Sequence, residues 1–467
     1  MQKITKKCYY RISFLLESSL MLGSGENIET DQDILKDKKG QPYIPASGVA
    51  GVARSLFSDE ARVKQYFGSI SPDGNNRNSR LVFYDAHLVE EDRDKAVISI
   101  RDSVKLDQYK TAVKGAKFDA EVLEPGVHFV TWIELNLDDT EKLDSALPDE
   151  IAEAWLQGEL RFGAKTMRGY GATRAEEVLV REFDLTDKKS TEEWLDFDMY
   201  RDSDWRTEAV RSLEKKGEAN NRLLLSLRQR SGLSVQSYTT DLPEQEKDGV
   251  TPLSPDSGQL TLADGTPVIP GTSWAGVFRH RMYALVPSLE RQLLFGEVGV
   301  NNNTGAVPSQ IRFSETKLAH AKFKRMSHNA INRFSGAVED TALFTEQYCY
   351  NGETTLCISW TKKLGPEAKA ALAAAVADLH YGYLTVGGLT GIGRGFFEVT
   401  AVNGNPVTSE KLYQQILQQL NRAEEKTENT KTTEETGVPE NTKPAEKEGV
   451  PENTKTAEKR GVKTDVH

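Results

Sequence analysis

The chain has 467 residues, of which 38% are hydrophobic and 28% charged, with a net charge of −11 and a mean hydropathy of −0.53. That length suggests two to four domains, and the low hydropathy says that part of the chain does not pack. No apolar run is long enough to cross a bilayer, three cysteines (Cys8, Cys349, Cys357) are too few for a disulfide framework or a CxxC zinc pair, and the acidic balance argues against a general polyanion binder while leaving room for a locally basic groove.

The opening is basic and then apolar, but Arg11 and Glu17 interrupt it. It reads as a strand over 8–22 rather than a signal peptide, and a cytoplasmic protein is expected. A polar loop, GENIETDQDILKDKKGQPYIP, leads to an I-P turn. Ser47 can cap the helix that follows, Ala50 and Gly51 permit it to approach another backbone, and Arg54 lies near one turn on. RLVFYDAHL (80–88) is strand-like, 101–122 is an insertion, 148–158 is a second helix, and GAKTMRGYG (163–171) is glycine-rich. Strand, helix, strands, helix and strand suggest a ferredoxin-like, split βαβ core.

The same blocks then return in the same order. PYIPASGVAGVAR (42–54) recurs as PVIPGTSWAGVFR (267–279), where Thr272 or Ser273 can cap and Ala275 and Gly276 stand for Ala50 and Gly51. RLVFYDAHL recurs as QIRFSETKL (310–318), 101–122 as 328–348, the second helix as 365–380, and the glycine segment as GGLTGIGRG (387–395). The expectation is an α+β chain of two tandem copies, 1–190 and 218–405, joined by a charged, tryptophan-containing connector at 191–217. A short helical segment at 406–420 precedes a tail, 421–467, that repeats GVPENTKPAEKE as GVPENTKTAEKR and reads as disordered.

The ordered blocks resemble the RAMP superfamily of CRISPR-associated proteins. More narrowly, they resemble the backbone subunits of type III interference complexes, two of them fused in tandem. Three features carry the resemblance: G-x-PYIP-[AG]-[ST]-x-x-x-G-x-x-R, the mid-domain R-D-x-V…G-A-K-F-D-x-E-V block, and the terminal glycine motif. Copy one has all three, and copy two has a degraded middle block, His328–Glu346. The resemblance implies two RAMP domains with inserted thumb hairpins, guide RNA and single-stranded target RNA as ligands, other subunits of the complex as partners, and no membrane. It implies that each thumb kinks the guide–target duplex about every six nucleotides, and that an aspartate upstream of the I-P motif supports metal-dependent cleavage there.

The family pattern D-x-x-[VI] selects Asp31, with Asp33 and Asp37 as rivals. Aligning the copies on Gly-x-P-x-I-P puts Asp256 opposite Asp31, nine residues before Gly265 as Asp31 is before Gly40. Gln259 replaces Ile34 there, so Asp248 and Asp241 stay open. Asp31 and Asp256 are the expected catalytic residues and ligands of Mg²⁺ or Mn²⁺, whose hard-oxygen preference suits carboxylate and phosphate. In-line attack by the RNA's own 2′-hydroxyl would make much of the chemistry geometric.

Guide contacts are expected from Lys165, Arg168, Gly169 and Gly171 in copy one and from Gly393, Arg394 and Gly395 in copy two, where glycine lets backbone N–H groups near phosphates. Arg54 and Arg279 can pair with phosphate bidentately. The thumbs fall at 103–120 and 329–345, with Val104, Leu106, Phe118, Ile331, Phe334 and Phe344 available as wedges. Two other readings compete: a non-catalytic guide-binding scaffold, and a guide-processing ribonuclease with His280 as its histidine.

Overall fold

The computed structural model describes residues 3–25, 30–70, 76–106, 112–138, 144–215, 221–237, 255–286, 291, 294–296 and 307–435. Asp241, Asp248 and the repeated tail at 436–467 lie outside them.

Copy one supplies β1 (Ile4–Leu16), β2 (Tyr43–Ile44), β3 (Leu81–Phe83), β4 (Ala86–Leu88), β5 (Ile98–Leu106), β6 (Ala112–Leu123), β7 (His128–Asp138) and β8 (Thr173–Asp184); the connector adds β9 (Val210–Ser212). The main sheet runs β2-β4-β7-β1-β8-β9, with β3 also on β7, and its pairs are antiparallel. Strand alternation sorts β1 into two faces. Tyr10, Ile12, Phe14 and Leu16 join Val49 and Ala53 of the helix Ala46–Arg54 and Ile151 and Trp155 of the helix Ala146–Leu156. Phe14 and Trp155 meet with ring centroids 4.6 Å apart.

The connector covers the opposite face. The helix Lys188–Asp196 brings Trp194, and the chain beyond brings Phe197 and Trp205, onto Tyr9, Trp132 and Phe183. Its tryptophans therefore complete a second apolar layer.

Copy two supplies β10 (Arg222–Gln229), β11 (Gln236–Ser237), β12 (Gly258–Gln259), β13 (Val268–Ile269), β14 (Ile311–Phe313), β15 (Thr316–Lys317), β16 (Lys322–Ile331), β17 (Val338–Tyr350), β18 (Glu353–Trp360), β19 (Phe397–Val402) and β20 (Asn405–Pro406). Its sheet, β14-β18-β10-β19-β20, repeats the copy-one order β3-β7-β1-β8, while β13 and β15, the counterparts of β2 and β4, pair in a separate two-stranded sheet. The core joins Trp274 and Phe278 of the helix Gly271–Tyr283 to Leu372 and Val376 of the helix Pro366–Tyr381. In each copy a two-stranded hairpin, β5–β6 or β16–β17, pairs outside the main sheet. Both copies fall within one compact unit, Met1–Thr427.

Several local expectations change. The strand expected over 8–22 ends at Leu16, because Glu17 and Leu20 leave the sheet to hydrogen-bond Ala172 and Leu123. Ser47, Thr272 and Ser273 cap nothing: the helices begin directly after Pro45 and Pro270, and the Ala46 N–H donates to Asp85 Oδ1 at 2.6 Å. Gly51 and Gly276 are not points of close approach, since a Cβ at either would meet no atom of the described residues within 4 Å. The terminal helix spans Leu412–Glu435, past the 421 boundary, anchored by Leu412, Ile416 and Leu420 on the copy-two core. Among the described residues no helix is long and apolar enough to cross a membrane.

Candidate nucleic-acid interface

The hairpins organise the site. In copy one the loop after β1 reaches the base of β6. The Asp31 N–H donates to Asp119 Oδ1 at 2.9 Å, and the Asp119 N–H donates to Asp31 Oδ2 at 3.1 Å. In copy two Asp256 Oδ2 accepts the Thr345 N–H at 2.6 Å, and the Asp256 N–H donates to the Thr345 carbonyl at 2.8 Å. One residue on along each loop and two along each hairpin, Glu121 N–H donates to the Gln32 carbonyl and Gln347 N–H to the Ser257 carbonyl, at 3.0 and 2.9 Å. Asp31 and Asp256 therefore occupy equivalent places, and both are exposed.

The rivals in copy one build turns. Asp33 is 9% exposed and accepts the Thr30 N–H at 2.9 Å. Asp37 accepts the N–H groups of Gln41 and Lys39, which hold its carboxyl below the ordinary range.

A divalent cation has only part of a ligand set here. Among the described residues no group of three or more histidine, cysteine, aspartate or glutamate side chains could hold a metal ion. Asp31 and Asp256 each commit one carboxylate oxygen to a hairpin N–H. An ion at either would draw its remaining ligands from RNA phosphate and water.

The glycine loops do different work from phosphate cradling at three positions. A Cβ on Gly169 would lie 2.6 Å from the Phe313 carbonyl oxygen and 2.8 Å from the Glu315 nitrogen, so this glycine lets copy one abut copy two. Gly271 meets the Arg168 carbonyl from the other side. Gly171 and Gly395 press on the backbones of Phe162 and Val386 of their own copies. Gly393 is open, with a φ of 88°.

The charges also divide. Arg168 is exposed. Lys165 lies with its Nζ 3.7 Å from the Phe118 ring centroid, and burial, with Arg168 nearby, pulls its ammonium down to about 8. Arg394, expected to face RNA, is 7% exposed: its guanidinium stacks 3.6 Å from the Tyr348 centroid and pairs with Glu346. Arg54 is exposed at its helix end. Arg279 is exposed, with its Nε donating to the Tyr283 hydroxyl at 2.9 Å. Among the described residues no hydrogen bond or ion pair joins either arginine to its copy's aspartate. His280 is exposed beside Arg279.

The hairpins carry exposed apolar side chains where wedges are expected. Val104 is exposed on β5, Ile331, Leu343 and Phe344 are exposed on β16 and β17, and Phe334 at the turn is 93% exposed. Phe118 is instead half-covered, beneath Lys165.

Sequence reasoning missed Asp119 and Glu121. Glu121 accepts the Ile34 N–H at 2.9 Å and pairs with Lys36 at 3.2 Å. The signal was present: in K-F-D-x-E on a strand, the two carboxylates share one face. Glu346 and His328 were also missed; His328 Nε2 lies 3.1 Å from Glu346 Oε1, and the His328 ring stacks on Phe344 at 5.0 Å. Their copy-one counterparts are Ala120 and Ser103, so no repeated pattern flagged them.

No curated protein matches the chain. The RAMP superfamily matches it twice, over residues 14–174 and 248–398, each region spanning a loop aspartate, a hairpin and a glycine loop. Such membership implies an RNA-binding role in CRISPR defence. With both regions taking up most of its length, the chain belongs to the RAMP superfamily of CRISPR-associated proteins.

Proposed function

We propose that this chain is a fused pair of backbone subunits of a type III CRISPR interference complex, binding guide RNA and cleaving complementary target RNA at two points about six nucleotides apart. The observation that carries the reading is the repeated junction of loop aspartate and hairpin: Asp31 on Asp119 and Asp256 on Thr345, each beneath a projecting hairpin. The sheet order supports reading each copy as ferredoxin-like with an inserted thumb. The exposed Val104, Phe334 and Phe344 suit insertion between bases. Arg54, Arg168 and Arg279 are exposed cations suited to guide phosphates, with Lys165 near Arg168. Neighbouring subunits fit the open Gly393 face, the copy-two counterpart of the face that Gly169 packs onto copy two.

Each hairpin base would fix a nucleotide so that its 2′-oxygen, phosphorus and 5′-oxygen align. Asp31 and Asp256 would orient the reacting phosphate region, held still by their hairpin hydrogen bonds. Mg²⁺ or Mn²⁺, when bound, would neutralise developing charge on that phosphate.

A second reading, a guide-binding scaffold without cleavage, is favoured by one fact: each aspartate already has a structural task, receiving a hairpin N–H. The experiment uses the assembled complex with labelled complementary RNA and Mg²⁺, comparing wild type, Asp31→Ala, Asp256→Ala and the double variant. Loss of one distinct cut per variant, with target binding intact, supports two centres. Identical cutting by all four sinks the aspartate assignment and leaves the scaffold.

A further inference from the structure

We infer that Arg101 is a positioning residue: clamped by Glu315 and Ser19, it fixes the copy-one hairpin against copy two and so sets the interval between the two hairpins. The three side chains close a ring. Arg101 Nη1 reaches Glu315 Oε2 at 3.1 Å, Arg101 Nη2 donates to Ser19 Oγ at 3.1 Å, and Ser19 Oγ donates to Glu315 Oε1 at 3.1 Å. They come from three segments: Arg101 from β5, Ser19 from the chain just after β1, and Glu315 from the turn between β14 and β15 of copy two.

Burial makes the ring selective. The Arg101 and Glu315 side chains are 3% and 6% exposed, and Ser19 is 1% exposed. A charge that leaves such a pair loses its partner without gaining water, so displacement of the hairpin is opposed steeply. The backbones beside the ring leave no slack, because Gly169 abuts Phe313 and Glu315. Arg101 also stands opposite Ala120, next to the Asp119 that holds Asp31. The clamp therefore reaches the candidate aspartate through one residue.

Copy two cannot repeat this arrangement at its outward end. Its hairpin has Met326 opposite Glu346 where copy one has Arg101 opposite Ala120. Gly232 receives the Gly395 N–H as Ser19 receives that of Gly171, both at 2.8 Å. Neither the guanidinium nor the hydroxyl has a counterpart. The ion-paired clamp is thus peculiar to the internal junction.

The consequence for cut positions rests on the cleavage reading; the hairpin interval does not. The test places nitroxide labels on Lys114→Cys and Arg333→Cys, one on each hairpin, in the full chain carrying Cys357→Ser. Pulsed electron spin resonance reads the distance distribution. One narrow population is expected in this background, with loss of that population in Arg101→Met, which installs the copy-two residue. Exchanging the charges, Arg101→Glu with Glu315→Arg, is expected to restore it. If Arg101→Met fails to fold by circular dichroism, Glu315→Gln and Ser19→Ala carry the same readout. An unchanged narrow population in the folded variants overturns the clamp. In the assembled complex with guide and target RNA, Arg101→Met should blur one cut relative to the other. A complex that never cuts, while the label distances respond as expected, sinks the cleavage reading and leaves the clamp standing.

Discussion

Asp31 and Asp119 each give a carboxylate oxygen to the other's backbone N–H, at 3.1 and 2.9 Å, and this exchange ties the loop after β1 to the base of the copy-one hairpin. In copy two only one half of the exchange uses a carboxylate, because Thr345 replaces Asp119 and offers its backbone carbonyl instead. Asp119→Ala removes the carboxylate oxygen that accepts the Asp31 N–H. The expected loss is about 1 kcal/mol, the scale of an ordinary hydrogen bond, since Asp31 is exposed. Hydrogen exchange at the Asp31 amide should accelerate in this variant, whereas exchange at Asp256 should not change. Equal protection of Asp31 in wild type and variant would refute the tie.

The base of the copy-two hairpin depends on a buried ion pair. Glu346 is 1% exposed and serves Arg394 and His328 together. Glu346→Ala strands Arg394 beneath the hairpin and should lower stability by about 3–5 kcal/mol. Copy one solves the same packing problem with Ala120 against Tyr170, both in one apolar cluster. Glu346→Ala combined with Arg394→Tyr should therefore recover most of the loss in thermal melts. A single variant as stable as wild type would show that the pair contributes nothing.

Gly169 and Gly393 hold corresponding places but different neighbours. Both have positive φ, so alanine strains the backbone at either, by about 1 kcal/mol. Only at Gly169 does the new Cβ also strike another backbone, that of copy two. Gly169→Ala should depress the melting temperature well beyond Gly393→Ala. Equal depressions would mean that the two copies are not in contact there.

Lys165 provides a pH test. Burial, reinforced by Arg168, lowers its ammonium to about 8 from the ordinary 10.5. The folded state therefore disfavours the charged form, and its penalty is full below about 8. Stability should rise as pH climbs from about 8 toward the unfolded value, where the unfolded chain binds more protons. Reductive ¹³C-methylation followed by NMR would report the titration directly. A midpoint near the ordinary lysine value would place the amine in water rather than over Phe118.

The elements of this protein were legible because they are local. The I-P turns and the helices near 146–156 and 366–381 follow from periodicity and from a pattern that occurs twice, whereas the hairpins were expected from the resemblance. The equivalence of Asp31 and Asp256 was legible for the same reason: equal spacing to a shared motif becomes equal placement when two copies fold alike. Even the expected wedges Phe334 and Phe344 are exposed, because the copy-two hairpin that carries both leaves the sheet.

The facing of particular charges and glycines was not legible. Arg168 and Arg394 stand in the same glycine motif, yet the first is exposed and the second is sealed over Tyr348. Gly169 and Gly393 have the same backbone conformation, yet a Cβ on the first would strike copy two and a Cβ on the second would meet no described residue within 4 Å. The amino-acid sequence by itself determined two copies of one α+β domain and the matching places of the two aspartates, since these depend on short-range pattern and repetition. The tertiary structure alone decided which side chains are buried and where the copies meet, because burial is set by whichever distant segment comes to rest on a residue.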